Sequence, residues 1–208
     1  MSEYLAPLLI AWGIQWMGVL SPGPGVALIL SVAASQGRTA ALITCLGIGS
    51  ASIVLAIATV VGLAALFAEV AAVMAAIKFI GAAYLAWLSY TSFRKAVAPP
   101  KFPKAIPFRE SGFRAALAGL TMQVTNPKAI FFWLAIAAIG DMSTAPLPIL
   151  VLFVAGAFVN SVLGHGAWAI ALSSSPFLAL YRRARRGVEA TLGAFFAFAA
   201  FKLATSRT

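Results

Sequence analysis

Acidic side chains are what this chain nearly lacks: five Asp and Glu among 208 residues, against fifteen Lys and Arg. Charged residues of both signs make up 10% of the total, where a soluble domain carries about 25%. That deficit excludes a solvated globular surface and points to an integral membrane protein. The apolar spans delimited below are read as free of carboxylate, which argues against a cation channel and a carboxylate-bound metal site. Cysteine is almost absent too. Cys45 alone permits neither an internal disulfide nor a multi-cysteine metal centre, and it reads as an inert thiol buried in a span. No Lys or Arg precedes the first apolar run. The basic flank of a signal peptide is therefore missing, and that run is expected to be a genuine span. There is no HExxH, no GxSxG and no cysteine pair, and no Ser/Lys or Asp/Asp dyad assembles within the spans. We expect no enzyme, no cofactor and no metal.

What is present is hydrophobicity, at 62% of the residues. A helix crossing a hydrocarbon core of about 30 Å needs roughly 20 apolar residues. By that measure six spans are expected, at residues 4–35, 39–67, 70–93, 113–139, 147–172 and 188–204. The basic residues gather between them. Loops after the first, third and fifth spans hold Arg38, then Arg94, Lys95, Lys101, Lys104, Arg109 and Arg114, then Arg182, Arg183, Arg185 and Arg186, eleven in all. The opposite side has only Lys202 and Arg207. The positive-inside rule makes the basic loops cytoplasmic and both termini extracytoplasmic. It also accounts for the net charge of +10 without a nucleic-acid partner. The lipid bilayer is the partner the composition implies.

Two of the six spans are interrupted. Ser21-Pro22-Gly23-Pro24-Gly25 breaks the first, and Thr125-Asn126-Pro127-Lys128 breaks the fourth. Proline removes a backbone donor and glycine gives up backbone order, so neither stretch continues an ordinary helix. A shift of 103 residues lays Pro24 on Pro127, with VALIL over AIFFW. Each half opens with a broken span followed by two continuous ones. Three spans per half require the second copy to be inserted upside down, which gives inverted three-helix repeats, 1–93 and 113–208, joined by a basic loop at 94–112. Interrupted spans at corresponding places point to the binding site of a secondary transporter. Proline suits the first position of a helix. Pro24 and Pro127 are therefore expected to start half-helices, with Ser21 and either Thr125 or Asn126 as capping or cavity-lining groups. Positive helix ends facing the membrane interior favour an anion such as a carboxylate. The alternative is a pair of kinks satisfied by neighbouring helices.

Lys128 lies 14 residues after Arg114 and 13 before Asp141, about 20 Å from either. Its stem cannot snorkel across half of a ~30 Å core, so it must face protein, water or substrate. Lys78, nine residues from Glu69, either lines the pathway or reaches the outer surface. His165 is the single histidine, a candidate proton relay near neutral pH, against the commoner outcome of a ring packed between helices. Trp87 and Tyr90 suit an interfacial belt. Trp12 and Trp16 share the helical face leading to the first break, where an aromatic substrate cage is an open alternative.

SPGPGVALILSVAASQGRTAALITCLGIG, KFIGAAYLAWLSY and NPKAIFFWLAI resemble, in order and spacing, the signature regions of the lysine-exporter (LysE/RhtB) family of amino-acid exporters. The resemblance covers nearly the whole chain. It implies a six-span, usually proton-driven efflux carrier of the bacterial inner membrane, and by position its motifs match Pro22, Gly23, Pro24, Lys78, Asn126, Pro127 and Lys128. The chain departs from the family pattern at Gly25, where Asn commonly follows PGP, and at Ser52 and Leu55, and it lacks a Pro-Gln-Phe after the fourth span. The combined reading is an exporter of amino acids or close derivatives, neutral ones preferred. Its substrate-binding candidates are Ser21, Pro22, Gly23, Pro24, Gly25, Lys78, Thr125, Asn126, Pro127 and Lys128. Alternatives are an uncoupled pore, a lipid-handling protein or a structural membrane subunit. Spans rich in Ala and Gly can pack closely, which leaves a homodimer open.

Overall fold

The computed structural model describes residues 4–67, 71–98, 112–139 and 145–205. Within a bilayer each backbone donor and acceptor must be satisfied inside its own segment, and these apolar runs do so as eight helices. They are α1 (Leu5–Leu20), α2 (Pro24–Gln36), α3 (Arg38–Phe67), α4 (Ala71–Val97), α5 (Gly112–Val124), α6 (Pro127–Ile139), α7 (Leu147–Leu172) and α8 (Ser175–Thr205). The chain is an all-α, multi-span membrane protein. Residues Arg38–Gly62 of α3 and the whole of α7 are each long and apolar enough to cross alone, and α1 with α2 passes as one span bent by 50°. Large apolar side chains such as Leu9, Val61 and Leu163 are exposed, as expected where lipid rather than water is the solvent.

Both expected breaks fall where the prolines place them. Pro24 is the first residue of α2 and Pro127 the first of α6. At the far end of α2 the chain turns directly into α3 through Gly37, whose φ of 88° lies in the region that glycine enters without steric cost.

The chain divides into two compact units that cut across the halves of the sequence: Met1–Leu63 with Phe102–Ser175, and Ala64–Lys101 with Pro176–Thr208. In the first unit α1 packs on α6 and α7, and α2 on α5 and α7. Leu8, Ala11, Ile136 and Phe153 form one core with Trp133, whose ring meets Phe153 edge-on at 6.0 Å. Ile29, Val32, Cys45, Ile48 and Ala169 form another. Gly47 and Gly119 bring α3 and α5 into backbone contact: a Cβ on Gly119 would overlap the Thr44 carbonyl, and one on Gly47 the Ala116 carbonyl. Trp12 and Trp16 belong to the α1–α7 packing. A Cβ on Gly156 would overlap the Trp12 indole, and one on Gly164 would overlap Val19 and press on Trp16. Neither ring lines the cleft described below.

The second unit pairs α4 with most of α8. The Ser89 hydroxyl donates to the Gly193 carbonyl at 2.8 Å, while Arg185 and Arg186 donate to the Ala98 and Ala96 carbonyls at 3.2 Å each. These two arginines thus serve the end of α4, whose last carbonyls lack helical partners. Two expectations are corrected here. The arginine cluster lies within α8 rather than in a loop, because the helix starts at Ser175. The sixth expected span does contain a carboxylate: Glu189, its second residue, is only 3% exposed. The basic loop from residue 99 to 111 lies outside the described residues.

Candidate functional site

Every described group of the site comes from the first unit, and the two chain breaks build it. Ser21 ends α1, its N–H donating to the Met17 carbonyl at 3.1 Å. Gly23 is extended, Pro24 opens α2, and the first backbone bond of the new helix runs from the Ala27 N–H to the Gly23 carbonyl at 2.9 Å. The Gly25 and Val26 N–H groups lie ahead of it, among the donors that a helix start leaves without intrahelical acceptors. At the second break Asn126 caps α6. Its Oδ1 accepts from the Lys128 N–H at 3.1 Å, and its Nδ2 donates to Gln123 Oε1 at 3.3 Å.

Lys128 joins the two breaks. Its side chain is 8% exposed, and Nζ donates to the Ser21 carbonyl at 2.5 Å. That carbonyl closes α1, where the helix dipole is negative. The stem passes Gly23 so closely that a Cβ there would sit 3.2 Å from Lys128 Cδ and 3.1 Å from Nζ. Absence of a side chain at position 23 is what admits the lysine.

Around this contact lies a cleft with about 40 Å³ of free space. At 10–15 Å³ per water on this measure, it holds roughly three waters and is too tight for an amino acid. Phe132, Trp133 and Ile136 give the cleft an apolar wall, and Gln15, Ser52, Gln123 and His165 give it polar ones. Among the described lining residues none is a carboxylate. Chemically, a buried ammonium at the two chain breaks can receive an anionic group, and the apolar wall a hydrocarbon.

The sequence profile of the LysE type translocator family matches residues 16–207. The chain belongs to that family. It is a membrane transporter, not an enzyme. Among its relatives, an uncharacterized membrane protein of Escherichia coli K12, YahN, is 24% identical over 92% of this chain and 86% of its own length. The threonine efflux protein of Salmonella typhi is 30% identical over 58% of this chain and 59% of its own. The threonine efflux protein of Escherichia coli K12 is 29% identical over the same shares. No solved structure matches the translocator.

Ser21, Gly23, Pro24, Gly25, Asn126 and Lys128 line the translocator's cleft, and so does His165. Pro22, Thr125 and Pro127 do not. Thr125 is exposed and returns its hydroxyl to the Thr121 carbonyl at 2.8 Å, so Asn126 alone is the cap. Ser21 acts through its backbone carbonyl; the cap position of α2 is Gly23, with no side-chain cap. Lys78 lies on α4, in the second unit, and its side chain is outside the described residues. The expectation missed Gln15 and Gln123, both buried in apolar helices. Gln15 Nε2 donates to the Ala157 carbonyl at 2.7 Å, and Asn160 Nδ2 donates to Gln15 Oε1 at 3.4 Å. A long polar side chain inside an apolar run was the available signal, since such groups cost free energy in lipid unless partnered.

Proposed function

We propose that this translocator is a secondary active exporter of amino acids or close derivatives, neutral ones preferred, in the bacterial inner membrane and coupled to the proton gradient. The observation that carries the proposal is Lys128, a buried cation joining the two chain breaks in a cleft whose described lining holds no carboxylate. A substrate carboxylate draws Nζ away from the Ser21 carbonyl. The N–H groups at the start of α2 add their partial positive charge. The threonine efflux relatives support an amino-acid cargo. In this reading the helices form six spans as two inverted three-span repeats, with both termini outside. Alternating access exposes the cleft to each side of the membrane in turn.

Preference for neutral substrates follows from charge. A lysine or arginine substrate places a second cation beside Lys128. At about 6 Å and an effective dielectric of 20 that repulsion is about 3 kcal/mol, roughly a hundredfold in affinity. The test is counterflow in proteoliposomes loaded with leucine, threonine or homoserine, with lysine and arginine as competitors. Saturable exchange that lysine and arginine inhibit weakly supports the proposal. A linear, unsaturable conductance contradicts it, and lysine outcompeting leucine removes the charge argument.

A further inference from the structure

The lining of the cleft includes two hydrogen-bond acceptors whose identity the network fixes. His165 Nδ1 lies 2.9 Å from the Ser161 carbonyl, and a carbonyl only accepts, so Nδ1 carries the hydrogen. In the neutral ring Nε2 is then a lone-pair acceptor. Gln123 is fixed by a longer chain of reasoning. The Lys128 N–H donates to Asn126, so the atom it meets is Oδ1, and Asn126 therefore turns its NH₂ toward Gln123. The Gln123 atom facing that donor must be Oε1, which keeps a second lone pair.

Both acceptors face one small space, the one a side chain at Gly25 would fill. A Cβ there would lie 3.5 Å from His165 Nε2 and 3.8 Å from Gln123 Oε1, with Met122 Cε at 3.5 Å. His165 is 5% exposed and Gln123 8%. Among the described residues no protein group donates to Nε2. Two buried acceptors within 4 Å of one point are matched by a donor, and a cationic donor forms the stronger bonds.

We propose that the space over Gly25, between His165 Nε2 and Gln123 Oε1, is the subsite for the substrate's α-ammonium group. Lys128 and the N–H groups at the start of α2 take the carboxylate, and His165 Nε2 and Gln123 Oε1, beside Gly25, take the ammonium. The side chain then lies on Phe132, Trp133 and Ile136. The Ser161 main-chain carbonyl holds the His165 tautomer. The inference rests on the amino-acid reading above and makes the α-amino group, as well as the carboxylate, a requirement for recognition.

Counterflow competition tests it with two matched pairs: leucine against 4-methylpentanoate, and threonine against 3-hydroxybutanoate. The second member of each lacks only the amino group. The wild-type protein is expected to favour the amino acid by about tenfold to a hundredfold, the value of a charge-assisted hydrogen bond. Gly25→Ala adds a methyl group at ordinary contact distances, so it folds while filling the subsite, and His165→Phe removes the acceptor. Each is expected to shrink the preference to within about threefold by weakening the amino acid alone. Equal weakening of both members, or an unchanged preference in Gly25→Ala, overturns the subsite and leaves the exporter reading standing. A wild-type protein that exchanges no amino acid at all overturns both.

Discussion

Replacing Lys128 by Met keeps an unbranched stem beside Gly23 and removes only the charge. The loss can be worked from the geometry. A carboxylate about 4 Å from Nζ gains about 4 kcal/mol at an effective dielectric of 20. Nζ must first leave the Ser21 carbonyl, which it holds at 2.5 Å, and a hydrogen bond to a charged group is worth about 1.5–3 kcal/mol. The net contribution is therefore about 1–2.5 kcal/mol, or roughly 5- to 70-fold in affinity. The assay is competition by leucine and by leucinamide against a transported tracer, on protein shown to be folded by gel filtration and thermal melting. Lys128→Met is expected to weaken leucine by that factor and not to weaken leucinamide, whose ammonium has no carboxylate to offset repulsion by Lys128. Equal loss for both would refute the reasoning, because it would mean that Lys128 only ties α6 to the end of α1.

Three further outcomes follow from the same structure. Pro24→Ala and Pro127→Ala allow each broken span to run on as one helix and remove the donors that face the cleft. Insertion is expected to persist and transport to fall at least tenfold, whereas normal transport by both variants would reduce the breaks to kinks. Gly119→Ala forces a methyl group onto the Thr44 carbonyl and is expected to destabilise the protein by about 1–3 kcal/mol in detergent melting; Gly13→Ala meets nothing within 4 Å and is expected to change it by less than about 1 kcal/mol. Reporter fusions at Thr208 and within residues 99–107 are expected to report opposite compartments, and a cytoplasmic C-terminus would overturn the sidedness argument.

The breaks were legible in the sequence because proline acts locally: a missing N–H stops the helix whatever packs around it. Lys128 was legible because its distance from either end of its span is a matter of counting. Which neighbours of a break face the cleft was not legible, since that depends on the phase at which α5 meets α2. Thr125 turns outward for that reason, while Asn126, one residue on, turns in. The seats of Trp12 and Trp16 are glycines about 145 residues away, Gly156 and Gly164, and one span's own pattern contains no trace of them. Glu189 went unrecognised because it falls at the margin of a span drawn from hydropathy alone. The division into units cutting across the sequence halves likewise arises from long-range packing, which the matching breaks do not encode.

The most direct measurement is an experimental structure of the protein with its transported amino acid bound. The account expects density for the carboxylate within hydrogen-bond distance of Lys128 Nζ, with the Lys128–Ser21 contact opened and the side chain against Phe132 and Trp133. Density elsewhere, or in the cleft with Nζ still on the Ser21 carbonyl, would contradict the claim that the two chain breaks form the substrate site.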